Sequence, residues 1–336
     1  MLNTIPTKRV AARSAPRWAA MLLLVVLSGC VARAAPLAPQ NRATPETHWA
    51  KEYAENLAEM GVLGEIPIDL DQPAPRGLVV AMTVRVLGLP LGAIAQKVFS
   101  DVDKAYSYAG EIAAAKQVGL VKGEPDGSFS PSRPLSRAEL AAILRRGFEP
   151  FIVPPAGDLT PFLDLRSHWA LADVMWCARG GLITGFPDYT YGPEQPCTVG
   201  QVSKVLRLAM RQSLNPATLP SDELLIATVV EHNLRFGRAF DSTPWDFGPL
   251  LQTVTGYAHR NLSANTAWLL RQQQSGRSFR YEAMSTEGRV MDKTAFEATV
   301  LTSESMKEFV EGFPHDVSQT DVYFLRKTSA GWMIFR

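Results

Sequence analysis

Cys30, Cys177 and Cys197 are the three thiols of this 336-residue chain, and with only five histidines they leave little material for a metal centre. No His or Cys stands at zinc-ligand spacing. Asp69-Leu70-Asp71 and Asp101-Val102-Asp103 lack the Gly and the distal Glu of a calcium loop, so they read as turn and surface acids. The groups that could move protons in the last third, His232, His259, Asp241, Asp246, Glu282 and Glu297, form no recognisable acid–base set. No nucleophile elbow, phosphate loop or metal-binding helix occurs elsewhere, and no cofactor is expected. Ser136 with Glu139 three residues on has the chemistry of a helix capping box. Cys177 and Cys197 allow two readings. One is a disulfide closing a 20-residue separation, contributing about 3 kcal/mol; the other is a pair of small buried hydrophobes.

The elements that position these residues begin after a targeting segment. Overall, 34 basic and 33 acidic residues give a charge of +1, with no basic run beyond the first twenty residues, so nothing suggests a nucleic-acid partner. The first 29 residues hold four bases (Lys8, Arg9, Arg13, Arg17) and no acid. Without them the charge falls to −3. The apolar run Trp18 to Leu27 is ten residues long, short of the roughly 20 that span a bilayer but suited to a secretory signal. Leu27-Ser28-Gly29-Cys30 resembles the lipobox of bacterial lipoproteins. That resemblance implies a signal peptide over 1–29, a lipid on Cys30 and a membrane-anchored, exported protein; the alternative is an ordinary secretory signal with an accidental cysteine. Residues 30–46, rich in Ala and Pro, read as a tether reaching at most about 55 Å.

Three repeats follow, with Gly61, Gly119 and Gly181 as register marks spaced 58 and 62 residues apart. Twelve residues before each mark stand Trp49, Ser107 and Trp169, the two tryptophans each preceded by a histidine. Seven before stand Ala54, Ile112 and Val174, and four before stand Leu57, Ala115 and Cys177. These offsets share one face of a helix that ends at the glycine in a left-handed cap. A turn-rich loop leads to a second helix opened by Ser136 or Thr198, with the stripe Leu140, Ile143, Leu144 returning as Val202, Val205, Leu206. Each unit is too small to bury its own stripe, so the three must pack together.

Phe99-Ser100-Asp101-Val102, Asp126-Gly127-Ser128-Phe129 and Ser136-Arg137-Ala138-Glu139 resemble an S-layer homology (SLH) repeat, with Ser-Arg-Ala-Glu in place of that family's Thr-Arg-Ala-Glu signature. Phe162-Leu163-Asp164, His168-Trp169-Ala170 and Gly181-Leu182-Ile183-Thr184-Gly185 match in the third unit. The resemblance implies units at 47–98 (degenerate), 99–150 and 161–212. It also implies non-covalent attachment to secondary cell-wall polysaccharide, often carrying pyruvate ketals. On that reading Arg137 grips the acidic group, with Arg76 in its place in the first unit. Ser136 and Glu139 shape a helix N-terminus that favours an anion, and Gly123 and Gly185 let the loop approach the ligand. Trp49 and Trp169 lie against sugar rings or belong to the core. The signature is incomplete: Pro75-Arg76-Gly77-Leu78 loses the Glu, and Thr198-Val199-Gly200-Gln201 loses the Arg.

Residues 213–222 have linker chemistry. Beyond them, helices over about 223–240 and 244–274, the second broken near Arg260-Asn261, precede strands of period two from Phe279 and a closing hairpin to Phe335. This order resembles the nuclear transport factor 2-like cone. The expected fold is therefore multidomain: an all-α three-repeat helix–loop–helix module, then an α+β cone over 223–336. The cone is expected to bind an unidentified protein or small ligand; the alternative is a surface-anchored enzyme, since such cones host cyclases and isomerases.

Overall fold

In the computed structural model, residues 48–64, 69–92, 97–157, 159 and 162–336 are described. The signal segment, Cys30 and the tether lie outside them. Three helix pairs form the first part: α1 (Lys51–Glu59) with α2 (Arg76–Leu87), α3 (Ala109–Gln117) with α4 (Arg137–Phe148), and α5 (Leu171–Arg179) with α6 (Val199–Arg211). The first helix of each pair runs into its glycine mark at φ +73°, +73° and +68°. There the N–H groups of Val62 and Leu182 reach back to the carbonyls of Leu57 and Cys177, at 2.8 and 2.9 Å, closing the helix end. The returning loop is pinned by an aspartate. Asp101 accepts from the N–H groups of Phe129 and Ser130, and Asp164 from those of Tyr191 and Gly192.

The units interlock cyclically, because α3 packs on α2, α5 on α4 and α1 on α6. The first helix of each unit thus covers the second helix of the unit before it, and the third unit is covered by the first. Leu57, Ile112, Val174, Leu144 and Leu206, all on the faces set by the register marks, share one buried cluster.

The second part begins with α7 (Asp222–Arg238), α8 (Gly248–Leu251) and α9 (Gly256–Gln274). The helical stretch breaks at 252–255, and not near Arg260-Asn261 as expected. Thr253 and Thr255 there exchange main-chain hydrogen bonds with Ile334, and Gly256 sits at φ +55° against the Glu59 carbonyl. Four antiparallel strands follow in the order β1-β2-β3-β4: Phe279–Lys293, Glu297–Val310, Phe313–Thr328 and Gly331–Ile334. Glu311 and Gly312, both at positive φ, make the tight turn between β2 and β3. Register shifts at Glu282/Ser285 and Val290/Asp292 bend β1.

The segment expected to be a linker is packed instead. Ser213 is fully buried and accepts from the Ala295 N–H at 2.9 Å, while Asn215 bonds Phe151 and Pro150. Phe296, at the head of β2, is completely buried with its ring 4.6 Å from Phe151 and 5.6 Å from Phe148. Ala295, Phe296 and Phe335 belong to the same apolar cluster as the helical ring. The two parts therefore share a core, with the sheet domain seated on the C-terminal ends of α1, α2 and α4.

Candidate functional site

At the opposite end of the ring, the segments that enter α2, α4 and α6 meet in a triangle of main-chain hydrogen bonds. Ala74 N–H donates to the Cys197 carbonyl (2.7 Å), Cys197 N–H to Leu135 (2.8 Å), and Leu135 N–H to Ala74 (3.0 Å). Each helix start is also covered by the next unit's loop. Arg76 and Gly77 donate to the Arg133 and Pro131 carbonyls, Arg137 and Ala138 to Gln195 and Pro193, and Val199 and Gly200 to Gln72 and Leu70. These N–H groups are spent, which corrects the expectation that the helix N-terminus itself receives an anion. Ser136 and Glu139 form the expected capping box, and Thr198 with Gln201 forms a second one. Packing alone requires glycine at 123 and 185. A Cβ there would lie 2.8 Å from the Ser128 carbonyl or 2.6 Å from that of Thr190, and would clash with the Phe99 or Phe162 ring.

Arg76 is buried, 8% exposed, and reaches from the first unit into the second. It donates to Glu139 Oε1 at 2.7 Å and to the Lys122 carbonyl at 2.9 Å, and its guanidinium lies 4.7 Å from the Phe129 ring centre. Arg133 joins Glu139 at 2.8 Å and Glu124 at 3.2 Å. Burial alone would raise the Glu139 carboxyl. Hydrogen bonds from Arg133 and the Ser136 N–H, with the charges of Arg76 and Arg133, outweigh it and hold the group below its ordinary range. Arg137 is only half-buried. It donates to the carbonyls of Tyr191 (2.8 Å) and Thr184 (3.2 Å), with its guanidinium 4.4 Å from the Tyr191 ring centre and 5.1 Å from that of Phe186.

Beside these junctions lie the two His-Trp pairs. Nδ1 of His48 accepts from the Ala50 N–H and Nδ1 of His168 from that of Ala170, both at 3.1 Å. Nε2 then faces Asp71 at 3.2 Å and Glu194 at 2.8 Å. The histidines thereby fix the start of the helix and turn the next residue outward. Trp49 and Trp169 are 51% and 60% exposed, so the core reading is corrected for both. In the second unit, Tyr106 and Tyr108 line a cleft of about 480 Å³ with Pro75, Leu78, Gln72 and Ser132. Phe186 and Tyr189 add further exposed rings in the third unit. Aromatic faces beside a guanidinium and neutral carbonyls suit a polar, ring-shaped ligand.

Cys177 and Cys197 are free, buried thiols, which corrects the disulfide reading. Cys177 faces the Ala141 carbonyl on α4, while Cys197 is held in the main-chain triangle. Burial pushes both thiols up, Cys197 to about 12.

In the sheet domain the proton-moving groups named from sequence do not converge. His259, Asp241 and Asp246 are exposed, Glu282 pairs with Arg280, and Glu297 pairs with Arg207 of α6 at 2.7 Å. Burial depresses His232 to about 4, and its Nδ1 lies 2.6 Å from Thr253 Oγ1. A different cluster fills the interior between two apolar patches. Glu304 Oε1 accepts from Asn233 Nδ2 (2.6 Å), Thr302 (2.9 Å) and Tyr323 (3.1 Å), and Oε2 from Gln319 (3.2 Å). Burial and the Glu304 charge raise nearby Asp321 to about 6. These residues alternate with exposed ones along β2 and β3, so their sequence pattern is that of any half-solvated strand.

Among the described residues no group of three or more His, Cys, Asp or Glu is placed to hold a metal, and no helix is long and apolar enough to cross a membrane. Residues 98–141 and 161–202 match the family model of the S-layer homology domain. The chain is 34% identical over 87 residues to cell surface glycoprotein 1 of Acetivibrio thermocellus, covering 26% of this chain and 4% of that protein. It is 29% identical over 124 residues to the cellulosome-anchoring protein of the same organism (36% and 28% covered). It is 27% identical over 154 residues to the S-layer protein of Bacillus licheniformis (45% and 18%). The chain thus spans less than a third of the length of these relatives. A solved ketosteroid isomerase-like protein from Erwinia carotovora atroseptica aligns with 35% of this chain and 94% of its own, at 18% identity and a TM-score of 0.25.

Proposed function

We propose that this chain, which carries S-layer homology domains at 98–141 and 161–202, is a cell-envelope protein attaching non-covalently to wall polysaccharide through its three-unit ring. The observation that carries this reading is the geometry of one ring end. There the units close on a main-chain triangle, Trp49 and Trp169 stand exposed beside it, and Arg137 is half-open to solvent. Trp faces supply area against sugar rings, and Arg supplies a fork for acidic groups. On this reading a lipid on Cys30 holds the protein at the membrane, and the sheet domain is carried on the ring end away from the polymer. A pull-down with purified sacculi tests attachment. Wild-type protein is expected in the pellet, with Arg137→Ala shifted toward the supernatant; wild-type protein that stays in solution sinks the proposal. Mass spectrometry of the mature N-terminus, with and without Cys30→Ser, tests the lipid.

A second reading, a surface enzyme or small-ligand carrier, is favoured by one observation, the buried belt around Glu304 with Asp321 raised to about 6. A carboxyl titrating there can exchange protons near neutrality. A thermal-shift screen of small carbonyl compounds tests it: stabilisation in wild type that disappears in Asp321→Asn supports the reading, and a flat screen removes it.

A further inference from the structure

The sheet domain touches the ring with the head of β2 and the end of β3, through Phe296 and Arg326. From there β2 runs 14 residues to the turn at Glu311-Gly312, roughly 45 Å at an ordinary strand rise. A cleft of about 520 Å³ opens at that far pole, bounded by the loop after α7, the end of α9, the start of β1 and the turn itself. Small-molecule sites commonly measure about 300–1,000 Å³. The interior beneath is filled, because Phe236, Tyr281, Met306 and Val310 pack there in one buried apolar cluster. That cluster lies between the cleft and the polar belt around Glu304.

Hydrogen bonds hold the rim of this cleft. Gln273 Oε1 accepts from the Trp245 N–H at 3.0 Å, which ties the loop after α7 to the end of α9. Past the turn at Gly276 (φ +86°), the Arg277 N–H donates to the Gln272 carbonyl at 3.1 Å. The Glu311 N–H donates to the Ser278 carbonyl at 3.1 Å. A rim fixed in this way needs little ordering when a ligand enters. Its floor is aromatic: the Trp245 ring centre stands 5.0 Å from that of Phe240 and 5.6 Å from that of Phe279. Among the described residues lining it, two guanidiniums, Arg277 and Arg280, face one carboxylate, Asp241. The Arg280 guanidinium lies 4.3 Å from the Phe309 ring centre and bonds Glu282 through Nη1 alone. That ion pair is solvent-exposed and contributes little, so an entering carboxylate can take the other N–H groups of the fork. Aromatic rings beside two guanidiniums suit a planar ring that carries an acid group.

We propose that this cleft binds a small planar-ring carboxylate, its ring against Trp245 and Phe279 and its acid group on Arg277 and Arg280. The inference rests neither on attachment nor on the belt around Glu304. The test titrates the full chain calorimetrically with benzoate, 2-naphthoate and indole-3-acetate, and with the carboxamide of each. At least one acid is expected to saturate the wild-type chain and to bind about tenfold tighter than its amide. Arg277→Gln and Arg280→Gln are each expected to weaken that acid about tenfold, at a temperature where circular dichroism shows both variants folded. Arg280 is exposed, so its variant decides the matter if Arg277→Gln unfolds early. Arg289→Gln removes the same charge from an exposed site nine residues along β1 and should bind like wild type. The inference is overturned if no acid saturates the chain, or if acid and amide bind alike. It is equally overturned if the cleft variants bind like wild type, or if Arg289→Gln weakens binding as much as they do. None of these outcomes touches sacculus binding, so the attachment reading stands or falls by its own pull-down.

Discussion

Arg326, on the third strand of the sheet domain, donates to the main-chain carbonyl of Arg85 at 2.8 Å, and the same guanidinium reaches the carbonyl of Met60. These oxygens lie at the C-terminal ends of α2 and α1, where unsatisfied carbonyls concentrate partial negative charge. Arg326 is 6% exposed, and burial lowers its pKa to about 10 against the partly opposing charge of Glu297. One side chain from the last domain therefore closes two helices of the first unit, some 240 residues earlier in the chain.

Arg326→Leu leaves both carbonyls buried without a donor. A loss of about 3 kcal/mol in urea denaturation is expected. Because the parts share a core, tryptophan fluorescence and far-ultraviolet circular dichroism should report one coincident transition in the wild type. Two separated transitions would show that the parts fold independently.

Phe296→Ala removes the ring that Phe148 and Phe151 pack against. A loss of about 3–5 kcal/mol is expected from the cavity at a fully buried site, measured by calorimetry. A loss below 1 kcal/mol would mean that the interface closes over the gap.

Cys177 and Cys197 should not react with a thiol-specific disulfide reagent in the folded Cys30→Ser chain, and both should react after unfolding. Reductant should leave the melting temperature unchanged, since the thiols are free. Intact-mass measurement of a chain two protons lighter than its reduced form would contradict this.

Asp321 should lower stability as pH rises. Its carboxyl titrates near 6 when folded, above the ordinary value near 4, so the folded state binds the proton more tightly. The stabilising share is complete below about pH 4 and is lost as pH climbs through 6. Buried His232, held near 4, slopes the other way over part of this range. The clean measurement is therefore the difference between wild type and Asp321→Asn: the variant should gain relative stability from pH 4 to 7. A difference that stays flat would contradict the raised value.

The helix pairs were legible because their glycine marks and apolar columns repeat, and Gly61, Gly119 and Gly181 stand at the positive φ that the cap requires. The triangle of Ala74, Leu135 and Cys197 was not, because it is made of main-chain groups that any residue carries. For Trp49 and Trp169 the sequence left sugar platform and core both open, since apolar area alone favours burial; the preceding histidine, whose Nδ1 takes the N–H two residues on, turns them outward. Ser213 to Asp222 has the composition of a linker, yet its polar groups find partners on Phe151, Pro150 and Ala295. Glu304 and Asp321 escaped notice because an acid on a strand alternates with its neighbours whether it faces water or a polar interior.

Calorimetric titration of the full chain with polysaccharide released from purified sacculi decides whether the open end of the ring binds wall polymer. Saturable heat is predicted, strongly reduced in Arg137→Ala and in Trp169→Ala at a temperature where circular dichroism shows both variants folded. Absence of saturable heat from the wild-type chain, or identical isotherms for all three proteins, would contradict it.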